Sequence, residues 1–283
     1  MMMTLGLEDR LDLPPHQVHV WYLATGARLN PYLRSLAKTL NSPQERATSN
    51  RFLIKERQES YLLARILLRV VLSKYVNISP QSWTFRTNAS GKPEIDLPKM
   101  YRFLRFSLTQ TDGFMACAVA ADREIGIDAE AISRIVEIDT IADYYFAPVE
   151  ASALQTLPPG LRRRRFFELW TLKEAYLKAR GVGLSLPLEK ILFNRDEGEM
   201  NYTLDASIDD PRNWRFYLLQ PTVRHLVAVA LPYDDHVMRH AQMELLVMPL
   251  EDVINTRSGT SRAAPTRGEY WGSQCKDQYK ARG

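Results

Sequence analysis

The 283-residue chain has few of the residues that build disulfide frameworks or soft-metal sites. Its two cysteines, Cys117 and Cys275, are too few for a disulfide scaffold or a four-thiolate zinc site. The five histidines are scattered, and none forms an HxxxH pair on a convincing helix. These shortages argue against a histidine-rich metal centre. They also favour a reducing compartment, so we expect a cytoplasmic protein.

Long apolar runs are missing as well. The longest apolar stretches, at 115–121 and 226–231, have the length of strands and fall far short of the roughly 18 residues that a membrane span needs. The first fifteen residues carry acids where a secretory signal would be basic and then apolar. We therefore expect neither secretion nor membrane insertion.

The chain also lacks a strong excess of charge of either sign. Lysine and arginine number 37 against 33 aspartates and glutamates, which leaves a formal net charge of +4. Nucleic-acid-binding proteins concentrate more positive charge than this, so we expect no nucleic-acid partner. The mild excess suits a phosphate-rich small molecule or an acidic protein partner better.

Apolar periodicity predicts an α+β chain. Helical patterns cover 31–40, 43–75 and 161–180, with Ser42, Pro43 and Glu45 forming a capping box for the second and Gly181 ending the third. Strand patterns cover 18–23, 83–85, 104–109, 114–120, 124–130, 191–194, 214–219 and 225–231. One long helix with antiparallel strands occurs twice along the chain, which indicates two related halves.

These patterns divide the chain into four segments. We expect a leader at 1–16, a first α+β half at 17–123, a second half at 124–250 and a tail at 251–283. The tail has lost its apolar periodicity and is rich in small and basic residues, so we interpret it as disordered.

Asp128 and Glu130 lie two residues apart at the end of an apolar strand, so both side chains point to one face. Two carboxylates on one face repel each other, and a divalent cation relieves that repulsion. Oxygen-only ligands favour Mg²⁺, Mn²⁺ or Ca²⁺. Taken alone, the pair is better explained as the polar end of a strand, since that pattern is common.

Glu174 and Lys178 are spaced i,i+4 on the helix at 161–180 and share one of its faces. They form either a surface ion pair worth a few tenths of a kcal/mol or a functional pair. In the functional case Glu174 is a metal ligand or general base, and Lys178 neutralises a phosphate. Four consecutive arginines, at 162–165, open the same helix and form either a solvated face or a docking patch for an acidic partner.

In chain order these segments resemble the surfactin-synthetase-type 4′-phosphopantetheinyl transferases. Residues 167–178, FELWTLKEAYLK, are similar to that family's W-T/S-x-K-E-A-x-x-K signature, and GVGLSLP follows at 181–187. Residues 125–130, IGIDAE, are similar to its G-[IV]-D-x-E signature. Gly91-Lys92-Pro93 and the helix at 61–69 also match in order, so that the resemblance covers about 18–233.

The resemblance implies transfer of 4′-phosphopantetheine from coenzyme A to a serine of an apo acyl or peptidyl carrier protein, with release of 3′,5′-ADP. It implies that Asp128, Glu130 and Glu174 hold Mg²⁺, that Glu174 takes the serine proton, and that Lys178 steadies the pyrophosphate. It also implies a monomer whose two halves are related by pseudo-twofold symmetry, with coenzyme A between them. The coenzyme A contacts implied are Arg86, Gly91, Lys92, Pro93, Thr109, Gln110 and Lys178.

One segment departs from the family pattern. The family carries N-[IVL]-S-H on the strand before the carboxylate signature, whereas residues 106–111 here read FSLTQT. Thr109 keeps a hydroxyl at the serine position, and Gln110 replaces the histidine. Glutamine keeps a hydrogen-bond donor but carries no charge, so we expect weaker coenzyme A binding or a changed pH profile without loss of activity.

Two other classes of protein stay open. A coenzyme A or carrier-protein binding module without catalysis would have no need for Asp128, Glu130 and Glu174 together. A basic nucleic-acid-binding protein would explain the tail and the arginine run, but it would leave the carboxylates unexplained. The sequence leaves open whether the carrier belongs to a fatty-acid, polyketide or nonribosomal peptide synthase.

Overall fold

A computed structural model describes residues 10–25, 31–88, 91–196, 199–210, 213–233, 244–250 and 266–267. The predicted leader is therefore described only from residue 10, and the predicted tail only at Thr266–Arg267; the rest of both segments lies outside the described residues. Among the helices described, none is both long enough and apolar enough to cross a bilayer.

The helices and strands occur in groups along the chain. The α-helices are α1 (Pro31–Leu40), α2 (Pro43–Ser49), α3 (Lys55–Leu72), α4 (Ile138–Tyr145), α5 (Pro148–Gln155) and α6 (Pro159–Arg180). Short 3₁₀ turns lie at Pro80–Ser82, Lys99–Tyr101, Gly183–Ser185 and Leu188–Lys190. The strands are β1 (Gln17–Ala24), β2 (Phe85–Thr87), β3 (Pro93–Ile95), β4 (Leu104–Thr111), β5 (Phe114–Ala121), β6 (Gly126–Ala131), β7 (Ile191–Asp196), β8 (Glu199–Leu204), β9 (Trp214–Thr222), β10 (His225–Pro232), β11 (Glu244–Pro249) and β12 (Thr266–Arg267).

Two sheets form the centre of the molecule. The first has the strand order β12-β11-β1-β5-β4 and the second has the order β6-β10-β9, while β2-β3 and β7-β8 are separate hairpins. Pairing within the sheets is antiparallel except between β1 and β11, which run parallel. The predicted mixed α+β class, with helices and antiparallel sheets, is thus confirmed.

Three apolar clusters lie between the helices and sheets and pack them together. One cluster packs α3 against one face of the first sheet, and another packs α6 against one face of the second. The third cluster fills the space between the two sheets with small and β-branched side chains, including Val18, Ala118, Ile127 and Val229. Because β5 and β10 are buried almost throughout, their sequences read as nearly continuous apolar runs rather than alternating patterns.

The structure corrects the predicted helix at 43–75, which is two helices. The capping box of Ser42 and Glu45 is present as predicted, but α2 ends at Ser49 with Asn50 as its C-cap. Thr48, Ser49 and Asn50 are weak helix formers, so the local preference for a helix fails there. The strand predicted at 83–85 begins only at Phe85. Residues 244–249, expected in the second half, pair with β1 in the first sheet.

The backbone of β6 lies unusually close to the backbone of α6. A Cβ atom at Gly126 would overlap the carbonyl oxygen of Ala175 and the amide nitrogen of Ala179, and neither backbone atom can move aside cheaply. Glycine is therefore required at this position for packing rather than for an unusual backbone conformation. This contact fixes the distance between the strand that carries Asp128 and the helix that carries Glu174.

We expect Gly126→Ala to destabilise the fold by about 3 kcal/mol, because it overpacks one backbone against another. Chemical denaturation measures the change in free energy of unfolding. Gly160→Ala on α6 is the matched control, since a Cβ there meets nothing within 4 Å. The control should be neutral or slightly stabilising, and a tolerated alanine at 126 would contradict the close packing.

His19 is buried in the first sheet in a hydrogen-bonded chain of polar side chains. The Tyr75 hydroxyl accepts from Trp21 Nε1 at 2.8 Å and lies 2.9 Å from His19 Nδ1, and His19 Nε2 lies 3.1 Å from Gln17 Oε1. Because Gln17 Oε1 can only accept, the tautomer that satisfies both contacts has the proton on Nε2, and the Tyr75 hydroxyl then donates to Nδ1. Burial lowers the pKa of His19 from 6.5 to about 4, because the charged ring would lose its hydration.

The stability of the fold should therefore fall as the pH drops. His19 binds its proton less readily in the folded chain than in the unfolded chain, so its contribution is complete above pH 6.5 and is lost towards pH 4. The expected loss is up to about 3 kcal/mol. Urea unfolding at pH 7 and pH 5 should give a flatter pH dependence for His19→Gln than for the wild type. Equal slopes would contradict this assignment.

Candidate active site

Strand β6 and helix α6 bring the two predicted carboxylate motifs together. Asp128 and Glu130 are both buried and lie on the same face of β6, as their spacing predicts. Glu174 and Lys178 lie one turn apart on α6, which packs on this strand. The structure thus places four of the predicted site residues at one junction.

Asp128 is the residue at which three elements meet. Its Oδ1 accepts from Lys178 Nζ at 2.6 Å and from the Thr109 hydroxyl at 3.2 Å. Lys178 Nζ also lies 3.3 Å from the Thr109 oxygen. The other carboxylate oxygen, Oδ2, is buried and has no hydrogen-bond partner within the described part of the chain. Such an atom is a ready ligand for a cation.

Hydroxyl groups of β4 connect the first sheet to β6. The backbone N–H of Ile127 donates to Ser107 Oγ at 3.1 Å, and the backbone N–H of Ala129 donates to Thr109 Oγ1 at 3.2 Å. The Ser/Thr pattern at 107 and 109 is visible in the sequence, but only Thr109 was predicted to take part in the site. Ser107 therefore helps to position β6, the strand that carries the carboxylates, although β4 and β6 belong to different sheets.

The carboxyl groups of Glu174 and Glu130 both have raised pKa values, so they are harder to ionise than exposed glutamates. Burial, followed by repulsion from Asp128, raises the pKa of Glu174 from 4.5 to about 7, with Lys178 opposing and Glu130 adding to the shift. Burial and Asp128 likewise raise the pKa of Glu130, while Arg134 opposes the rise. Among the described residues, none donates a hydrogen bond to the Glu174 carboxylate.

The carboxylates interact electrostatically without forming a finished metal cluster. Among the residues that the structure describes, no three histidine, cysteine, aspartate or glutamate side chains converge as metal ligands. Two of the acids are instead held by cations: Asp128 by Lys178 and Glu130 by Arg134. The donor set is nevertheless all oxygen, and Asp128 Oδ2 is unsatisfied, so the residues fit a hard divalent cation.

Two cavities border this junction, and a third adjoins them. A cavity of about 1140 Å³ is lined by Asp128, Glu130, Lys178, Thr109 and Gln110, among others. A second cavity of about 280 Å³ holds Glu174 and shares Lys178 with the first. The third, of about 430 Å³, lies on the outer side of the turn that precedes β3.

The turn Gly91-Lys92-Pro93 borders more than one of these cavities. Gly91 has a φ of 84°, which only glycine adopts readily, and it lines the 280 Å³ cavity with Lys92 and Pro93. Lys92 Nζ pairs with Glu124 at 3.1 Å. Arg86 is not brought to the carboxylates: it lines only the outer cavity of the three and pairs with Glu94 at 2.9 Å.

The signature lysine Lys173 has no place in the cavity. It is fully buried in the second core, where its Nζ donates to Glu150 at 2.7 Å and to the carbonyls of Leu188 and Ile191. Breaking such a buried pair costs about 3–5 kcal/mol, so its role is structural. The neighbouring Glu174, one position further along α6, faces the site instead.

The four arginines at 162–165 all bind other residues of the same chain. Arg164 and Arg165 both pair with Glu168, which is almost fully buried. Arg162 pairs with Asp139, and Arg163 donates to the carbonyl of Arg134 at 3.2 Å. Each arginine thus has an internal partner, which accounts for four cations at the start of a helix.

Comparison with known proteins gives these residues a family. Residues 124–232 match the 4′-phosphopantetheinyl transferase superfamily. The 4′-phosphopantetheinyl transferase HetI of Nostoc sp. is 32% identical over 221 residues, which cover 78% of this chain and 90% of that protein. The chain belongs to the 4′-phosphopantetheinyl transferase superfamily. The enzyme Sfp of Bacillus subtilis, a 4′-phosphopantetheinyl transferase, is 30% identical over 208 residues, covering 72% of this transferase and 89% of Sfp.

The resemblance inferred from the sequence is therefore confirmed, and the chain is an enzyme of this family. Among solved structures, a holo-(acyl-carrier-protein) synthase from Bacillus anthracis in complex with coenzyme A is 20% identical and covers 38% of this chain and 94% of that chain. Its TM-score of 0.32 is too low to establish a correspondence between the two whole molecules.

Neutralising Glu174 should make the transferase more stable. The folded protein holds this carboxylate at a raised pKa, so the stability it confers is present below pH 4.5 and is lost as the pH rises through about 7. At pH 8 in EDTA, Glu174→Gln should raise the free energy of unfolding by about 1–3 kcal/mol. Urea unfolding at pH 8 and pH 5 tests this, and a gain that is no larger at pH 8 would contradict it.

Proposed function

We propose that this transferase moves 4′-phosphopantetheine from coenzyme A to a serine of an apo carrier protein, depends on Mg²⁺, and releases 3′,5′-ADP. The observation that carries the proposal is the junction of β6 and α6. There Asp128 and Glu130 lie beside Lys178 and Glu174, between cavities of about 1140 and 280 Å³.

The transfer exchanges one phosphorus–oxygen bond for another. The serine oxygen attacks the phosphorus that carries the pantetheine, and the bond from that phosphorus to the 3′,5′-ADP oxygen breaks. The serine proton passes to the Glu174 carboxylate. A base works best when its pKa lies near the working pH, and burial beside Asp128 and Glu130 supports Glu174 in that role.

Asp128, Glu130 and Glu174 would hold the magnesium ion. The support is the all-oxygen donor set at the junction of β6 and α6 and the unsatisfied, buried Oδ2 of Asp128. When bound, the ion would neutralise charge on the diphosphate and its leaving group. The protein's own contribution is to keep three mutually repelling carboxylates in place through Thr109 and the contact at Gly126.

Basic and polar groups around the cavities would bind coenzyme A. Lys178 would steady the pyrophosphate from α6, and Thr109 would offer its hydroxyl to a phosphate from β4. Lys92 borders two of the cavities, so its turn is suited to the nucleotide end. Gln110 lines the 1140 Å³ cavity and supplies an uncharged donor there. Arg86 would join only from the outer cavity.

We further propose that the chain acts as a monomer of two similar halves, 17–123 and 124–250, related by pseudo-twofold symmetry. The supporting observation is the layering of α3 on the first sheet and α6 on the second, with the two sheets packed together. Residues 244–249 cross back into the first sheet, where they lie between β12 and β1, so the second half contributes a strand to the first sheet. A monomer follows, since one chain already supplies both sides of the site.

Transfer of a fluorescent pantetheine from labelled coenzyme A to apo carrier proteins of fatty-acid, polyketide and nonribosomal peptide synthases tests the function. We expect labelling with Mg²⁺, loss of labelling with EDTA, and a rate at least about 100-fold lower for Glu174→Gln, the range for removing a general base. Lys178→Met should lower the rate as well, since it removes the cation beside Asp128.

Asp143→Asn is the control for these variants, because it neutralises an exposed carboxylate on α4 outside the site. It should label carriers at the wild-type rate. Coenzyme A binding without labelling of any carrier would overturn the proposed transfer and indicate a binding module instead. Full activity in EDTA would overturn the metal dependence alone.

A further inference from the structure

Arg134 covers one of the two strand carboxylates. Its Nη1 donates to both oxygens of Glu130, at 2.8 and 3.0 Å. The Glu130 side chain is only 8% exposed, whereas that of Arg134 is 53% exposed. The arginine therefore reaches from the surface onto a buried acid, and it lines the 1140 Å³ cavity.

The backbone around Arg134 is anchored, so its side chain can move alone. Its N–H donates to the carbonyl of Ala131 at 2.9 Å, and its own carbonyl accepts from Arg163 at 3.2 Å. The N–H of Ile132 donates to the carbonyl of Arg224 at 2.9 Å. The long, half-exposed side chain can leave Glu130 by rotation about its own bonds while the segment stays in place.

The charges at the site favour that departure when a divalent cation arrives. Asp128, Glu130 and Glu174 carry three negative charges when ionised, against one positive charge each on Lys178 and Arg134. A divalent cation added to this set leaves an excess positive charge, whereas the same cation with Arg134 turned outward leaves the set neutral. Like charges within a few ångströms repel strongly in a buried site.

The two basic residues differ in how easily they can leave. Lys178 is 32% exposed, lies on the last turn of helix α6, and is held by both Asp128 and Thr109. Arg134 lies on a loop after β6, is more exposed, and binds only Glu130 through its side chain among the described contacts. A divalent cation should therefore displace Arg134 rather than Lys178.

We propose that Arg134 is a displaceable counter-ion: it occupies Glu130 in the metal-free protein, competes with the divalent cation for that carboxylate, and so sets the affinity of the site for metal. The inference rests on the proposed function, because it takes Glu130 to be a metal ligand. It adds a residue of this chain that the carboxylate motif does not contain. In the metal-free state the pair also keeps a buried carboxylate from being left without a partner.

Calorimetric titration with Mn²⁺, in the absence of coenzyme A and carrier, tests the proposal without any activity measurement. Arg134→Met removes the charge while keeping much of the apolar side chain, and it should tighten Mn²⁺ binding by about tenfold, the effect of losing one nearby cation. Arg134→Lys keeps the charge but loses the paired contact, so its affinity should lie between those of the wild type and Arg134→Met.

Arg224→Met is the matched control. Arg224 is 60% exposed, pairs with Asp112 at 3.7 Å, and lies beside the same loop through its backbone contact to Ile132. Its loss removes one positive charge nearby without touching Glu130, so Mn²⁺ affinity should stay near the wild-type value. An equal gain in both variants would reduce the effect to general electrostatics and overturn the proposal.

The remaining outcomes separate this inference from the proposed function. Mn²⁺ binding that is unchanged or weaker in Arg134→Met, with binding intact in the wild type, would overturn the role of Arg134 alone. Absence of Mn²⁺ binding in every variant, in each case with a normal unfolding transition, would overturn the metal site and this inference together.

Discussion

The contact between the backbones of β6 and α6 at Gly126 is the constraint on which the site depends. Residue 126 has no side chain to hold the strand away from Ala175 and Ala179, so the two elements meet at backbone distance. Two residues further along the strand, Asp128 comes within 2.6 Å of Lys178. The close approach at Gly126 thus brings Asp128 within reach of the helix residue Lys178.

The close packing of β6 and α6 also places three mutually repelling carboxylates near one another. Three carboxylates share one junction, and the pKa of Glu174 rises to about 7 because burial and its acidic neighbours disfavour its charge. Proteins tolerate such groups where function needs them, and stability is lost in exchange. Here the loss is limited by two basic partners, a helical lysine that is firmly held and a loop arginine that is half exposed.

Much of the fold was predictable because its long elements carry strong local signals. Helix α6, the hairpin of β4 and β5 around Gly113, and the capping box at Ser42 all follow from periodicity, turn residues and caps. The elements that were missed, among them α4, α5, β8 and β11, are eight residues long or shorter. Over that length a helical or strand pattern is repeated too few times to stand out. The break between α2 and α3 was missed because weak helix formers lower the local preference for a helix without marking its end as clearly as glycine or proline does.

The sequence by itself determined the family and most of the residues that define the site, because two ordered signatures carry Asp128, Glu130, Glu174 and Lys178. It did not determine what each charged residue touches. Lys173 and Lys178 are both lysines of one signature, yet the first is buried against Glu150 and the second faces Asp128. Only the tertiary structure decided this, because helical spacing sets which residues share a face but not which partner covers it. The hydroxyl bridges from Ser107 and Thr109 to β6 likewise join residues about twenty positions apart, a contact that no local pattern encodes.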